Sequence, residues 1–145
     1  MEGRVVPRDE ITRAIIGILY DQPYDLNKSI AYSLQDMIKK GGAQAGIDYY
    51  TEIRNAEDYY LDEDEMNIAG YELLLADSIN EAKVIFELNV EAFPKSGNVY
   101  DSYGEVLLLL GKKDEAIENY KRSVELNPKN RNGLSVLKEL GVETN

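Results

Sequence analysis

The sequence has no cysteine and no histidine among its 145 residues. Without cysteine the chain forms no disulfide and has no thiolate nucleophile, and its redox compartment is left open. Without histidine it has no imidazole base, no serine-type catalytic triad and no His-ligated zinc. We therefore expect no catalytic residue, no cofactor and no metal site in this chain.

Positive charge is also scarce, because 16 basic residues stand against 27 acidic ones and give a net charge of -11. This balance argues against nucleic acid, whose phosphates are bound by lysine and arginine. It also disfavours an anionic membrane surface. The longest apolar run is the five residues 106–110, too short for a membrane span, and the charged start of the chain is not a secretory signal. We expect a soluble chain.

The sequence contains an internal repeat. Four landmarks recur at one constant offset: Gly70 matches Gly104, Ala82 matches Ala116, Phe86 matches Tyr120 and Pro94 matches Pro128. Each copy has two segments with apolar residues three and four apart, the spacing of an amphipathic helix. These segments are 63–76 and 79–92, then 97–110 and 113–126. The offset and the residue types resemble the tetratricopeptide repeat (TPR), a helix-turn-helix unit of about 34 residues.

Each copy carries a glycine within its first predicted helix, Gly70 or Gly104, where glycine costs about 1 kcal/mol relative to alanine. Close approach of the second helix would explain this choice. We expect Ala82 to lie opposite Gly70, with Phe86 filling the adjacent space, and the equivalent residues to do the same in the second copy.

Capping residues mark the predicted helix starts. Ser78 with Glu81, and Asp62 with Glu65, have the spacing of a capping box, in which each side chain bonds the other residue's free amide. Ser96 precedes the predicted helix at 97–110, and Asn130 precedes the predicted closing segment at 131–140. Both are residue types that often cap helices.

Two repeats are fewer than the three that such stacks usually need. We expect residues 28–40 and 43–55 to form a degenerate helix pair broken at Gly41 and Gly42, and residues 131–140 to close the far end. The predicted fold is an all-α, TPR-like helical-hairpin solenoid of about eight helices. Its predicted parts are an N-terminal helix and linker (1–26), the degenerate pair (27–60), and two repeats with a capping helix (61–145, repeats at about 63–96 and 97–130).

Residues 9–20 form a further predicted helix with one apolar face, made of Ile11, Ala14, Ile15, Ile18 and Leu19. The sequence from here on resembles the C-terminal TPR extension of bacterial β-lactamase-related and penicillin-binding-protein-like serine hydrolases. The similar segments are 15–24 (IIGILYDQPY), 28–31 (KSIA), 66–74 (MNIAGYELL), 86–91 (FELNVE) and 98–105 (NVYDSYGE). The resemblance implies an accessory region, with residues up to about 25 ending a catalytic domain, in a protein that is cytoplasmic or exported.

Two short patterns have a catalytic or metal-binding alternative. Ser135 and Lys138 have the S-x-x-K spacing of penicillin-recognising enzymes, but the chain has no Lys-Thr-Gly or Ser-Asp-Asn to accompany them. The four acids at 62–65 lack the spaced ligands and central glycine of a calcium loop. We expect Ser135 to be non-catalytic and the acids to form a solvated helix start.

The resemblance to tetratricopeptide repeats also implies a binding groove along the first helix of each unit. Its predicted exposed positions are Asp64, Asn67, Ile68, Tyr71, Leu74 and Leu75 in one repeat, and Asn98, Asp101, Ser102, Glu105, Leu108 and Leu109 in the next. Repeats that bind a partner's C-terminal carboxylate have lysine, arginine and asparagine at these positions. In this chain the corresponding positions include acidic residues, so an apolar or basic partner segment is favoured. Residues 51–91 hold twelve acids and two bases, which strengthens this expectation.

Three functions remain open at this point. The first is a module that binds a protein or peptide in an acidic, Tyr- and Leu-lined groove, including its own catalytic domain. The second is an enzyme in its own right, which the missing histidine and cysteine disfavour. The third is a homo-oligomer, in which the apolar face of residues 9–20 pairs with a second copy or enters a neighbour's groove.

Overall fold

The computed structural model describes residues 9–12, 15 and 27–143. Residues 9–12 and 15 are helical, and the rest of the predicted helix 9–20 lies outside the described residues. The elements between residues 27 and 143 are β1 (Lys28–Ser29), α1 (Ile30–Ile53), β2 (Tyr59–Tyr60), α2 (Glu63–Leu75), α3 (Ile79–Ala92), α4 (Gly97–Leu109), α5 (Lys113–Leu126) and α6 (Arg131–Glu139).

The helices of the two repeats lie where the apolar periodicity predicts them. Helices α2 to α5 match the four predicted segments to within one residue at each end, and α6 matches the predicted closing helix. Each helix packs against the next along the chain, and α2 also contacts α4. The predicted all-α, helical-hairpin fold is therefore confirmed.

Helix α1 is a third hairpin. Its backbone leaves the helical region at Gly42, where φ is 81°. A Cβ atom built on Gly46 would lie 3.2 Å from Leu34 Cδ1, although twelve residues of straight helix span about 18 Å. The two halves of α1 therefore fold back on each other, as the Gly41-Gly42 pair predicts. When the two halves of α1 are counted separately, residues 27–143 contain seven helices. The assignment of the α1 hairpin as a degenerate repeat stays a prediction.

The buried apolar side chains form two cores. The larger one joins α1, α2 and α3 with Val106 of α4, and the smaller one consists of Leu107, Ala116, Tyr120 and Leu137 from α4, α5 and α6. Tyr103 packs against both. Helix α4 therefore links two regions that bury different sets of side chains.

The close approach predicted at the helical glycines is confirmed. A Cβ atom on Gly70 would lie 2.6 Å from the ring of Phe86, and one on Gly104 would lie 2.9 Å from the ring of Tyr120. The nearest atoms are those of the aromatic rings, which are fully buried, and not those of Ala82 and Ala116, which the sequence predicts opposite the glycines. Glycine is required at both positions because the ring occupies the space that a side chain would need.

Gly104→Leu should lower the free energy of unfolding by about 1–3 kcal/mol, since overpacking forces strained side-chain positions. The ring of Tyr120 is buried, and a Cβ atom at position 104 would already lie 2.9 Å from it. Urea unfolding followed by circular dichroism measures the loss. Leu75→Ala, at an exposed position, is the control and should change stability by less than about 0.5 kcal/mol. An unchanged urea midpoint for Gly104→Leu would contradict the prediction.

Two of the predicted helix caps form. The carboxylate of Asp62 accepts a hydrogen bond from the backbone N–H of Glu65 at 2.9 Å, and Asn130 Oδ1 accepts one from the N–H of Gly133 at 3.1 Å. The Glu65 side chain does not complete a capping box at Asp62. Its oxygens accept hydrogen bonds from Ser29 and Tyr60 instead.

The predicted caps at Ser78 and Ser96 were wrong, because neither side chain bonds its helix start. Ser78 has a ψ of 63°, outside the extended conformation that directs a capping hydroxyl at the first turn. The hydroxyl of Ser96 donates to Glu63 Oε1 at 2.7 Å. The Ser96 side chain therefore donates to a carboxylate that is distant in sequence and does not accept a hydrogen bond from the first turn of its own helix.

A two-residue parallel ladder joins the predicted linker, 56–61, which contains β2, to β1, which takes the first two residues of the helix predicted at 28–40. That helix therefore begins at Ile30 and not at Lys28. Lys28 pairs with Tyr59 and Ser29 with Tyr60. The hydroxyl of Ser29 donates to Glu65 Oε2 at 2.5 Å, and that of Tyr60 donates to Glu65 Oε1 at 2.8 Å. The ladder and this carboxylate tie the start of α1 to the start of α2, and the fold remains helical.

Candidate functional site

The first helices of the two repeats, α2 and α4, lie side by side. The hydroxyl of Tyr71 donates to Glu105 Oε2 at 2.8 Å and lies 3.3 Å from Ser102 Oγ. The structure thus brings the predicted groove residues of both helices onto neighbouring elements. We call this set the α2–α4 face; it consists of Asp64, Asn67, Ile68, Tyr71, Leu74, Leu75, Asn98, Asp101, Ser102, Glu105, Leu108 and Leu109.

Tyr71 forms the centre of the α2–α4 face. Burial, together with the hydrogen bond to the Glu105 carboxylate, raises the pKa of Tyr71 to about 12. The phenol is therefore neutral near pH 7 and serves as a hydrogen-bond donor. Its ring also meets Phe86 edge to face, with 5.1 Å between centroids. Tyr71 supports the core as well as the surface, so its truncation would not test binding alone.

Three large apolar side chains on the α2–α4 face are exposed to solvent. Leu75 is 89% exposed, Leu109 is 56% exposed and Ile68 is 49% exposed. Leu75 and Leu109 occupy equivalent positions in the two repeats, each at the end of its helix. Leu74 and Leu108 lie beside them and are half-buried. The helix ends therefore present an apolar surface that folding alone does not require.

The charged residues of the α2–α4 face are all acidic. Asp64 is exposed, while Glu105 is half-buried and accepts the Tyr71 hydrogen bond. Both carboxylate oxygens of Asp101 are engaged, by Asn130 Nδ2 at 2.6 Å and Asn132 Nδ2 at 2.8 Å. The twelve residues include no lysine or arginine. An incoming carboxylate would therefore meet no positively charged side chain of this face.

One residue of the predicted groove is buried. Ser102 is only 2% exposed, because its hydroxyl lies against that of Tyr71 at the contact between α2 and α4. The prediction that Ser102 is open to a ligand was wrong. Asn98 is exposed but is engaged within the chain, since its amide donates to Glu63 Oε1 at 3.2 Å. Asn67 is half-buried.

Sequence reasoning missed the polar contacts that join the two helices of each repeat. Asn89 Nδ2 donates to the carbonyl of Glu63 at 3.1 Å, and Ser123 Oγ donates to that of Gly97 at 2.7 Å. Asn89 and Ser123 are both buried and occupy equivalent positions in the two repeats. Polar residues at equivalent positions on two otherwise apolar helix faces are the signal that would have found them.

The residues with a catalytic or metal-binding alternative have other partners. Ser135 Oγ donates to Glu139 Oε1 at 3.3 Å. Of the acids at 62–65, Asp62 caps α2, Glu63 binds Ser96 and Asn98, and Glu65 binds Ser29 and Tyr60. Within residues 9–12, 15 and 27–143, no group of three or more acidic side chains is placed to hold a metal ion.

In the described part of the chain, no helix combines the length and the apolar character that crossing a membrane requires.

The helical hairpins define a TPR-like fold, and comparisons with known proteins agree. The tetratricopeptide repeat family model matches residues 97–130, the second copy of the repeat. No curated protein matches the sequence. Repeat proteins of this kind use the surface of their stacked units to bind other proteins.

Two solved structures show the same fold. They are the first TPR domain of the human RPAP3 protein, and the first TPR of Spaghetti (RPAP3) bound to the HSP90 peptide SRMEEVD. Each is similar to this chain with a TM-score of 0.53 and 21% sequence identity, over 77% of this chain and 87% of the other. At this identity the similarity extends to the fold alone.

Proposed function

We propose that this chain is a non-catalytic interaction module that binds a protein or peptide segment on the α2–α4 face. The exposed side chains of Ile68, Leu75 and Leu109 on one surface are the observation that carries the proposal. Contiguous exposed apolar side chains rimmed by polar residues mark interaction sites in soluble proteins. The fold and the family match support binding of a protein partner in general.

The charges of the face indicate the chemistry of the partner. The only charged residues of the face, Asp64, Asp101 and Glu105, are acidic. Complementary charge steers association and rejects partners of like charge. The partner segment therefore combines apolar side chains with lysine or arginine. An acidic peptide such as the SRMEEVD segment bound by the RPAP3 neighbour does not fit this face.

Selection from a random peptide library tests the proposal, because it requires no assumption about the partner's identity. The full chain is immobilised, phage-displayed peptides are selected on it, and their affinities are measured by fluorescence anisotropy. The selected peptides should carry apolar and basic residues, and Leu109→Asp should weaken their binding about tenfold or more. Asn80→Asp is the matched control, because it adds the same charge at an exposed position on α3.

Two results would reject the α2–α4 face as the binding site. One is selection of predominantly acidic peptides. The other is equal affinity for the parent chain and Leu109→Asp. Circular dichroism of the variants shows whether each is folded, and Leu109 is exposed, so little change is expected.

We propose further that the module is the accessory region of a larger serine hydrolase and that its partners include the catalytic domain of that protein. This rests on the resemblance of residues 15–24, 28–31 and the repeat segments to hydrolase extensions. The reading frame upstream of Met1 tests it. A continuous frame that encodes an S-x-x-K domain would support the proposal, and a natural start codon at Met1 would contradict it.

A further inference from the structure

The exposed large apolar side chains of the described residues fall into two groups. One group is the row on the α2–α4 face formed by Ile68, Leu75 and Leu109. The other consists of Ile11 and Ile15, which are 49% and 51% exposed. Both isoleucines are helical, and four residues apart is the spacing that places two side chains on one side of a helix.

The N-terminal group also differs in charge from the rest of the chain. Residues 1–15 contain three of the six arginines, Arg4, Arg8 and Arg13, and as many acids, so this segment is neutral. The whole net charge of -11 therefore belongs to residues 16–145. The first fifteen residues can thus approach the acidic α2–α4 face without net repulsion. Their arginines supply partners for the exposed carboxylate of Asp64.

We propose that the helix containing Ile11 and Ile15 docks on the α2–α4 face of a second copy of this chain. The proposal rests on the proposed function and names a partner for that site. Within one chain Ile11, Ile15 and Leu75 are all exposed, so the helix does not cover the face of its own chain. An amphipathic helix placed in an apolar groove is a recurring mode of recognition. Reciprocal exchange between two copies closes into a symmetric dimer.

Sedimentation velocity of the full chain across micromolar concentrations provides the first test. The parent chain should form a concentration-dependent dimer. Ile11→Asp with Ile15→Asp, called the helix variant, should be monomeric at the same concentrations. So should Leu75→Asp with Leu109→Asp, called the face variant. Asn80→Asp should dimerise like the parent. All the substituted positions are exposed, so the helical circular dichroism of each variant should match that of the parent.

Mixing the two variants separates this arrangement from any other dimer. The helix variant retains an intact face, and the face variant retains an intact helix. A fluorescently labelled helix variant should therefore bind the face variant through one intact contact, although neither associates with itself. Two copies that meet helix to helix, or face to face, would gain nothing from mixing, and that result would overturn the proposal.

The outcomes also distinguish this inference from the proposed function. If the parent is monomeric, or if the helix variant still dimerises, docking of a second copy is rejected. The helix variant keeps the face, so a library-selected peptide should bind it with at least the affinity of the parent. If the parent chain is monomeric but binds a selected peptide, the proposed peptide-binding function is supported and only the proposed self-association is rejected. In a dimeric parent, excess peptide should displace the helix and yield monomers.

Discussion

Phe86→Ala should lower the free energy of unfolding by about 3–5 kcal/mol, the usual cost of removing a fully buried phenylalanine. The ring is completely buried in the larger core. It fills the space beside Gly70 and meets the ring of Tyr71 edge to face. Truncation therefore leaves a cavity between α2 and α3 and removes an aromatic contact. Urea unfolding by circular dichroism measures the loss, and Leu75→Ala serves as the exposed control.

A second substitution, Gly70→Ala, tests whether the Phe86 ring fills the space beside this glycine. In the parent chain a Cβ at this position meets the Phe86 ring at 2.6 Å, so the substitution should destabilise. In the Phe86→Ala background the ring is gone, and the gain of about 1 kcal/mol in helix propensity remains. Gly70→Ala should then stabilise the chain. Effects of equal sign and size in both backgrounds would show that glycine and ring are not energetically coupled.

Most of the helical architecture was predictable because it is set by local periodicity. The apolar spacing of three and four residues and the internal repeat determine which segments are helices and which faces they bury. Gly70 and Gly104 were informative because glycine is costly within a helix and needs a packing reason. The hairpin in α1 was also predictable, since the Gly41-Gly42 pair permits the positive φ seen at Gly42.

The polar contacts were less predictable because side chains choose among partners that are distant in sequence. Ser96 has the residue type of a cap, but the carboxylate of Glu63, 33 residues away, takes its hydrogen bond. Glu65 likewise binds Ser29 and Tyr60 rather than its own helix start. The spacing of residues along the sequence does not show which of these hydrogen-bond partners a side chain binds. The β1–β2 ladder is only two residues long in each strand, so it leaves no alternation in the sequence.

The candidate site was predictable in position but not in detail. The repeat register places Leu75 and Leu109 on one surface, and both are exposed there. The register does not show that Ser102 is covered by Tyr71, or that Asp101 is already engaged by Asn130 and Asn132. These contacts run between repeats, so they depend on how the units stack. Substitutions at Leu75 and Leu109 consequently test binding more directly than substitutions at Asp101 or Ser102.

Leu137→Ala should lower the stability of the α5–α6 end by about 2–5 kcal/mol while leaving the α1–α3 core protected. Leu137 is fully buried against Leu107, Ala116 and Tyr120, and no residue of α6 belongs to the larger core. In stacked repeats each unit contacts only its neighbours, so the loss of a terminal contact is felt locally.

Amide hydrogen exchange, resolved by helix, measures this difference. Exchange should accelerate in α6 and in the part of α5 around Tyr120, and it should be unchanged in α2 and α3. Ser135→Ala is the control on the same helix, since Ser135 is exposed and bonds only to Glu139 in the same turn. Equal acceleration in every helix would mean that the two cores unfold as one unit. In that case Tyr103, which packs against both cores, would be the residue that couples them.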